Sequence, residues 1–175
     1  MSRKQRLSAD DWLRAGLEAL AASGPEALKA EPLARALETT KGSFYWHFDD
    51  VPRYRRALLD FWRDLASGTP AAPDEKAEAV SLLHKLMRDG FGGDEATETA
   101  MRSWAINDPD AAQTLRNLDL RRIEYLQQVL RQLGVTNPDI ARSLYAAKVG
   151  MATLSEDAAD QDALTTLVDL VLALR

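Results

Sequence analysis

Apolar residues recur at three- and four-residue intervals along nearly the whole chain, and no stretch alternates convincingly between apolar and polar. A strand needs a two-residue repeat, whereas a helix buries one stripe, so this periodicity predicts an all-α protein. Start and stop signals divide it into about nine helices. Ser8 with Asp11 three residues on has the form of a capping box, and Leu13, Leu17 and Leu20 follow on one face until Ser23-Gly24-Pro25. A short helix is expected over residues 32–37, and a longer one carries Tyr54, Leu58, Phe61 and Leu65. "SGTPAAPDE", residues 67–75, reads as a linker, with Asp74 placed to cap a helix bearing Val80, Leu83, Met87 and Phe91. "GFGG" ends that helix, and Met101 and Trp104 lie on the next. Asp108-Pro109 and Asn137-Pro138 each read as a cap followed by a first helical residue. These signals predict a helix-turn-helix head over residues 1–50, a connecting helix over 51–68 and a helical bundle domain over 74–175.

Composition excludes several classes of function. The chain has 175 residues and no cysteine, which removes disulfides, zinc-thiolate sites and cysteine nucleophiles. Its two histidines, His47 and His84, are far apart in sequence and cannot alone make a metal cage. No apolar run is long enough to span a bilayer, and the basic start lacks the apolar core of a signal peptide, so a cytoplasmic protein is expected. The net charge of −5 does not advertise a nucleic-acid partner, but its distribution does. Residues 1–56 hold ten Lys/Arg against eight Asp/Glu, while the remainder holds twelve against nineteen. A mildly basic head on an acidic body points to a polyanion at the head.

One segment departs from the Ala/Leu-rich background: "LETTKGSFYWHF", residues 37–48. A short amphipathic helix with Leu33, Ala34 and Leu37 inward precedes it, and Glu38-Thr39-Thr40 form a turn into a second short helix from Lys41 to His47. Two short helices joined by a tight turn make a helix-turn-helix, whose second helix enters the DNA major groove. Phe44 and Phe48, four residues apart, can anchor that helix inward. This leaves Thr40, Lys41, Ser43, Tyr45, Trp46 and His47 outward or on the rim, with hydroxyl, ammonium and phenol donors suited to phosphates and base edges. Gly42 lets a phosphate or a thymine methyl approach the backbone. Arg3, Lys4 and Arg6 precede the first helix and can follow a groove or a phosphate track.

"TTKGSFYWHF", with Leu33-Ala34 and the helix before it, resembles the recognition segment of the TetR family of bacterial transcription regulators; the likeness runs over residues 8–65. The resemblance implies DNA contacts from Thr40, Lys41, Gly42, Ser43, Tyr45 and His47, with Tyr45 and His47 holding phosphates; the family varies at Trp46. Three positions depart from the pattern. Glu38 stands where the turn usually has glycine, Lys29 where a Ser/Thr cap usually opens the second helix, and the fourth helix begins without its usual lysine, Arg53 being the nearest cation. Lys29 and Arg53 are therefore candidate phosphate contacts. The family also keeps an apolar effector pocket, for which His84, Met87, Phe91, Met101, Trp104 and Tyr125 are candidates.

The last two helices carry wide apolar faces: Ile140, Leu144, Ala147 and Met151 on one, and Leu164, Leu167, Val168 and Val171 on the other. A homodimer that pairs them as a four-helix bundle covers both faces. The reading that results is a homodimeric repressor bound to an inverted-repeat operator and released by a small apolar effector, with no cofactor and no metal. Two rivals differ in class. An enzyme lacks support, because no activated nucleophile, metal-binding motif or phosphate-cradling loop is present. A helical interaction protein would keep the head but bind a protein.

Overall fold

Backbone donors at the helix starts find side-chain acceptors where the sequence offers short polar residues. Ser8 Oγ accepts from the Asp11 N–H at 3.3 Å, and Asp11 Oδ2 accepts from the Ser8 N–H at 2.7 Å, closing the expected capping box. That backbone bond, with the one from the Ser8 hydroxyl, holds the Asp11 carboxyl below its ordinary range. The structure, a computed structural model, describes residues 7–71, 73–154 and 158–173. Among them it is all-helical: α1 (Ala9–Ser23), a 3-10 turn (Pro25–Ala27), α2 (Ala30–Ala36), α3 (Lys41–His47), α4 (Val51–Ala66), α5 (Lys76–Asp89), α6 (Glu95–Ala105), α7 (Pro109–Gln132), α8 (Pro138–Met151) and α9 (Ala158–Ala173).

Several expected boundaries shift for local reasons. α2 begins at Ala30, two residues before Pro32, which still falls in the first turn, where its missing N–H has no partner to lose. α5 is opened by Glu75 rather than Asp74, without a side-chain cap bond. Gly90, at φ +81°, ends α5, so Phe91 is buried from beyond the helix and Leu86 takes its place in the stripe. On α4 the buried row is Tyr54, Leu58, Trp62 and Ala66, with Leu59 beside it; Phe61 is half-buried and Leu65 is exposed. Steps of four carry the row onto the larger Trp62 ring, and the Arg14 guanidinium lies 5.6 Å from the centre of the Phe61 ring.

The chain forms two compact units. One contains the residues up to Leu65 together with Gly93–Arg116. In it α1 packs on α6 and on α2, and α2 packs on α3. The other contains Ala66–Gly92 and the residues from Asn117 onward; α5 packs on α8 and α9, and α8 packs on α9. Its core includes Leu83, Leu86, Met87, Leu126, Val129, Leu130, Leu144, Leu164 and Val168. A polar cluster is set into this apolar core. Arg122 is only 2% exposed, and its guanidinium donates to Tyr145 Oη at 3.3 Å and to the Ala66 carbonyl at 3.4 Å, with its charge 5.4 Å from the centre of the Phe91 ring. Tyr145 Oη in turn donates to Asp119 Oδ1 at 2.6 Å. Burial first, then the bond to Asp119, pushes the Tyr145 hydroxyl up to about 12.

Candidate nucleic-acid interface

The turn between α2 and α3 is built by backbone hydrogen bonds that close the end of α2. The Thr39 N–H donates to the Ala34 carbonyl at 2.9 Å and the Glu38 N–H to the Arg35 carbonyl at 3.1 Å. This is the bond pair of a Schellman motif, which needs a left-handed residue at the position of Glu38. Glu38 adopts that conformation at φ +49°, the one non-glycine positive φ among the described residues. The turn therefore keeps the geometry usual for glycine and carries a strain on the order of 1 kcal/mol.

Thr40 then opens α3 in an extended conformation. The Ser43 N–H bonds the Thr40 carbonyl at 2.9 Å, and the Thr40 side chain makes no cap bond to the helix. α3 is only seven residues long, too short to be stable by propensity alone. Phe44, its one buried residue, holds it in place. The Phe44 ring meets Trp12 edge-on at 5.4 Å, Tyr54 at 5.1 Å and Phe48 at 5.4 Å. Phe48 caps the C-terminal end, its N–H bonding the Phe44 carbonyl at 3.0 Å, and its ring also meets Tyr54 at 5.0 Å. Offset and edge-to-face pairs of this kind each contribute about 0.5–1.5 kcal/mol beyond area burial. Tyr54 Oη donates to the Trp12 carbonyl at 2.9 Å, and burial pushes its hydroxyl well above its ordinary range. Gly16 makes that approach possible, because a Cβ there would collide with the Tyr54 hydroxyl. Sequence reasoning took Phe44 and Phe48 as anchors and missed Trp12, Gly16 and Tyr54 as their partners. The available signal was Trp12 and Gly16 one helical turn apart.

With Phe44 inward, the other side chains of α3 are displayed. Thr40, Lys41, Gly42, Tyr45 and Trp46 are exposed, and Ser43 and His47 are half-buried at the rim. The Lys41 ammonium lies 5.8 Å from the centre of the Tyr45 ring, so the cation and the phenol share one flank. Trp46 meets the His47 ring edge-on at 5.1 Å. Lys29 is the cap residue of α2, without a cap bond, and its ammonium pairs with Glu26 at 3.0 Å. Arg53 pairs with Asp49 at 3.2 Å, while its N–H bonds Asp50 Oδ1 at 2.6 Å, so Asp50 caps the start of α4. Arg3, Lys4 and Arg6 lie outside the described residues.

The candidate effector residues divide between the units. Met87, Phe91 and Tyr125 belong to one buried cluster with Leu83 and Tyr145. His84, half-buried on α5, has its Nε2 3.3 Å from Asp169 of α9. Met101 and Trp104 are buried on α6, within the other unit. The expected dimer stripe also needs correction. Leu144, Leu164 and Val168 are sealed in the chain's own core, because α9 packs onto α5 and α8 within one chain. Ile140, Ala147, Met151, Leu167 and Val171 are half-buried, and Leu154 and Leu170 are exposed. Among the described residues, no group of three or more His, Asp or Glu is placed to hold a metal, and no helix is long and apolar enough to cross a membrane.

Residues 13–50 match the family model of bacterial regulatory proteins of the tetR family. No curated protein matches the chain in sequence. Its fold resembles several solved structures. A transcriptional regulator from Rhodococcus sp. Rha1 is 17% identical with a TM-score of 0.69, covering 96% of this chain and 95% of its own. Salmonella enterica GusR is 17% identical with a TM-score of 0.67, covering 99% and 97%. A TetR transcriptional regulator from Agrobacterium tumefaciens is 19% identical with a TM-score of 0.68, covering 95% and 92%. The matched residues are those that build and display α3, so it is the part of the chain around this helix that is similar to the bacterial regulatory proteins of the tetR family.

Proposed function

We propose that this DNA-binding regulator is a cytoplasmic repressor that acts as a homodimer on an inverted-repeat operator. The observation that carries the reading is the outer face of α3: a hydrophobic hub grips the helix through Phe44, leaving Thr40, Lys41, Gly42, Tyr45 and Trp46 exposed. Lys41, Tyr45 and His47 hold phosphates, Thr40, Ser43 and Trp46 face base edges, and Gly42 admits the close approach. Lys29 and Arg53 reach the backbone only by leaving Glu26 and Asp49, so they add less than Lys41. Residues 1–50 are the DNA-binding part, 51–68 the connection, and 74–175 the effector-binding and dimerisation part.

Dimerisation uses what α8 and α9 do not spend on their own core: Ala147, Met151, Leu167, Leu170 and Val171. Two-fold pairing presents two α3 helices, and half-sites then lie about one helical turn, or a multiple of it, apart. A small apolar effector near Met87, Phe91 and Tyr125 opposes DNA through a coupling of about 1–3 kcal/mol. Selection of bound sequences from a random duplex pool tests the reading. Enrichment of an inverted repeat is the expected result. Enrichment of a single half-site contradicts the dimer, and no enrichment contradicts DNA recognition itself.

A further inference from the structure

Three tyrosines are buried: Tyr54, Tyr125 and Tyr145. Tyr54 Oη donates to a backbone carbonyl and Tyr145 Oη to a carboxylate. Tyr125 Oη is sealed from solvent and finds no hydrogen-bond partner among the described residues. Burial pushes this hydroxyl up, so it keeps its proton at neutral pH and remains a donor. A phenylalanine would fill the same space without stranding a polar atom, and an unsatisfied buried hydroxyl lowers stability. An orphan of that kind calls for a partner from outside the chain.

The surroundings restrict that partner. Tyr125 belongs to the apolar cluster that contains Met87 and Phe91, and the unbranched thioether of methionine lets such packing adapt to a guest. Three residues earlier on α7, and so on the neighbouring turn, stands Arg122. Its guanidinium lies against the Phe91 ring and bonds Tyr145 Oη, which is itself bonded to Asp119. A buried cation and a carboxylate are thus already joined beside Phe91. A charged guest would add a charge with no counterpart in an apolar interior, which is costly. A carbonyl oxygen accepts a hydrogen bond, brings no donor of its own and carries no charge. We infer that Tyr125 is the polar anchor of the effector site, donating its hydroxyl to the carbonyl oxygen of an uncharged, mainly apolar effector. The inference rests on the effector reading above and goes beyond it in naming the anchor and the chemical class of the ligand.

The test uses the full chain and matched probes. Acetophenone and cyclohexanone are each compared with the alkene in which C=CH2 replaces C=O, α-methylstyrene and methylenecyclohexane, and with a carboxylate, benzoate and cyclohexanecarboxylate. Affinities are read from the rise in thermal midpoint with probe concentration. The ketone-to-alkene affinity ratio is expected to fall about fivefold from the wild type to Tyr125→Phe, the size of one neutral hydrogen bond. Without any probe, the midpoint of Tyr125→Phe should equal or exceed that of the wild type. Three results overturn the inference while leaving an apolar effector site intact: the ratio is unchanged in Tyr125→Phe, the carboxylates bind the wild type better than the ketones, or probe-free Tyr125→Phe melts lower because its hydroxyl was already satisfied. If no probe raises the midpoint, alkenes included, the effector reading falls and the inference with it. Infrared spectra of acetophenone bound to the wild type stand alone should the variant fail to fold. The carbonyl stretch should lie below its position in hexane, and a hexane-like stretch overturns the inference.

Discussion

Each compact unit buries a tyrosine hydroxyl, and the two are satisfied in opposite ways. Tyr54 donates to the backbone carbonyl of Trp12 and is ringed by Phe44 and Phe48. Tyr145 donates to the Asp119 carboxylate and receives a bond from the buried Arg122 guanidinium. The first arrangement is neutral and aromatic, and it fixes a short helix whose other side chains remain on the surface. The second is ionic and ties α8 to α7 through groups that are costly to leave unpaired in a dry interior. The comparison teaches that the head gains its rigidity from shape, whereas the second unit relies on charge. The first unit should therefore be hit hardest by a change of volume in its aromatic hub, and the second should lose more than the first when its buried tyrosine loses its hydroxyl.

The largest effect expected from that contrast is at Phe44. Phe44→Ala empties the centre of the aromatic hub and should lower unfolding free energy by about 3–5 kcal/mol, with loss of DNA binding, as read by urea denaturation and anisotropy. A loss near 1 kcal/mol would mean that the hub is not what holds α3. Next comes Tyr145→Phe, which strips hydrogen bonds to charged groups and should cost about 1.5–3 kcal/mol. It also carries a pH signature. The folded hydroxyl titrates at about 12 and an unfolded tyrosine near 10, so the folded state holds the proton more tightly. That stability is fully present below pH ~10 and is lost as pH rises toward ~12, by up to about 1.4 kcal/mol per unit. Urea midpoints across alkaline pH should fall more steeply for the wild type than for Tyr145→Phe; parallel curves would break the ionic half of the comparison.

Smaller effects sharpen the neutral half. Tyr54→Phe removes one bond to a backbone carbonyl and should cost about 1 kcal/mol, leaving the ring contacts in place. A cost as large as that of Tyr145→Phe would show that the head too depends on its polar contact. Glu38→Gly relieves the left-handed glutamate but gives the unfolded chain more freedom, so a net gain under about 1 kcal/mol is expected in thermal unfolding. A marked loss would mean that the Glu38 side chain contributes more than its backbone strain costs.

How legible each half was in the sequence follows the same division. α3 could be read to its boundaries because "KGSFYWHF" combines local signals: two phenylalanines at helical spacing, a glycine and a cluster of donors. The caps at Ser8, Asp108 and Asn137 were readable for the same reason, since a cap spans only a few residues. What was not legible is long-range. The Tyr54 bond to Trp12 joins residues 42 apart, and Arg122 reaches the Ala66 carbonyl across 56. Arg122 looks like any surface arginine in a leucine-rich helix until the fold encloses it. The α8 and α9 stripes were visible, but which residues serve the chain's own core and which are left over depended on α9 packing onto α5. Leu144, Leu164 and Val168 were misread for that reason.

Lys41 gives the most direct test that the outer face of α3 meets DNA. Lys41 is exposed, with its ammonium 5.8 Å from the centre of the Tyr45 ring, so removing it should leave the hub intact. Anisotropy of a labelled duplex should be followed across a salt series for the wild type and Lys41→Ala. The account predicts weaker binding to every sequence and a log–log salt slope shallower by about one for each head that contacts DNA. A folded Lys41→Ala protein with unchanged affinity and unchanged slope would contradict it.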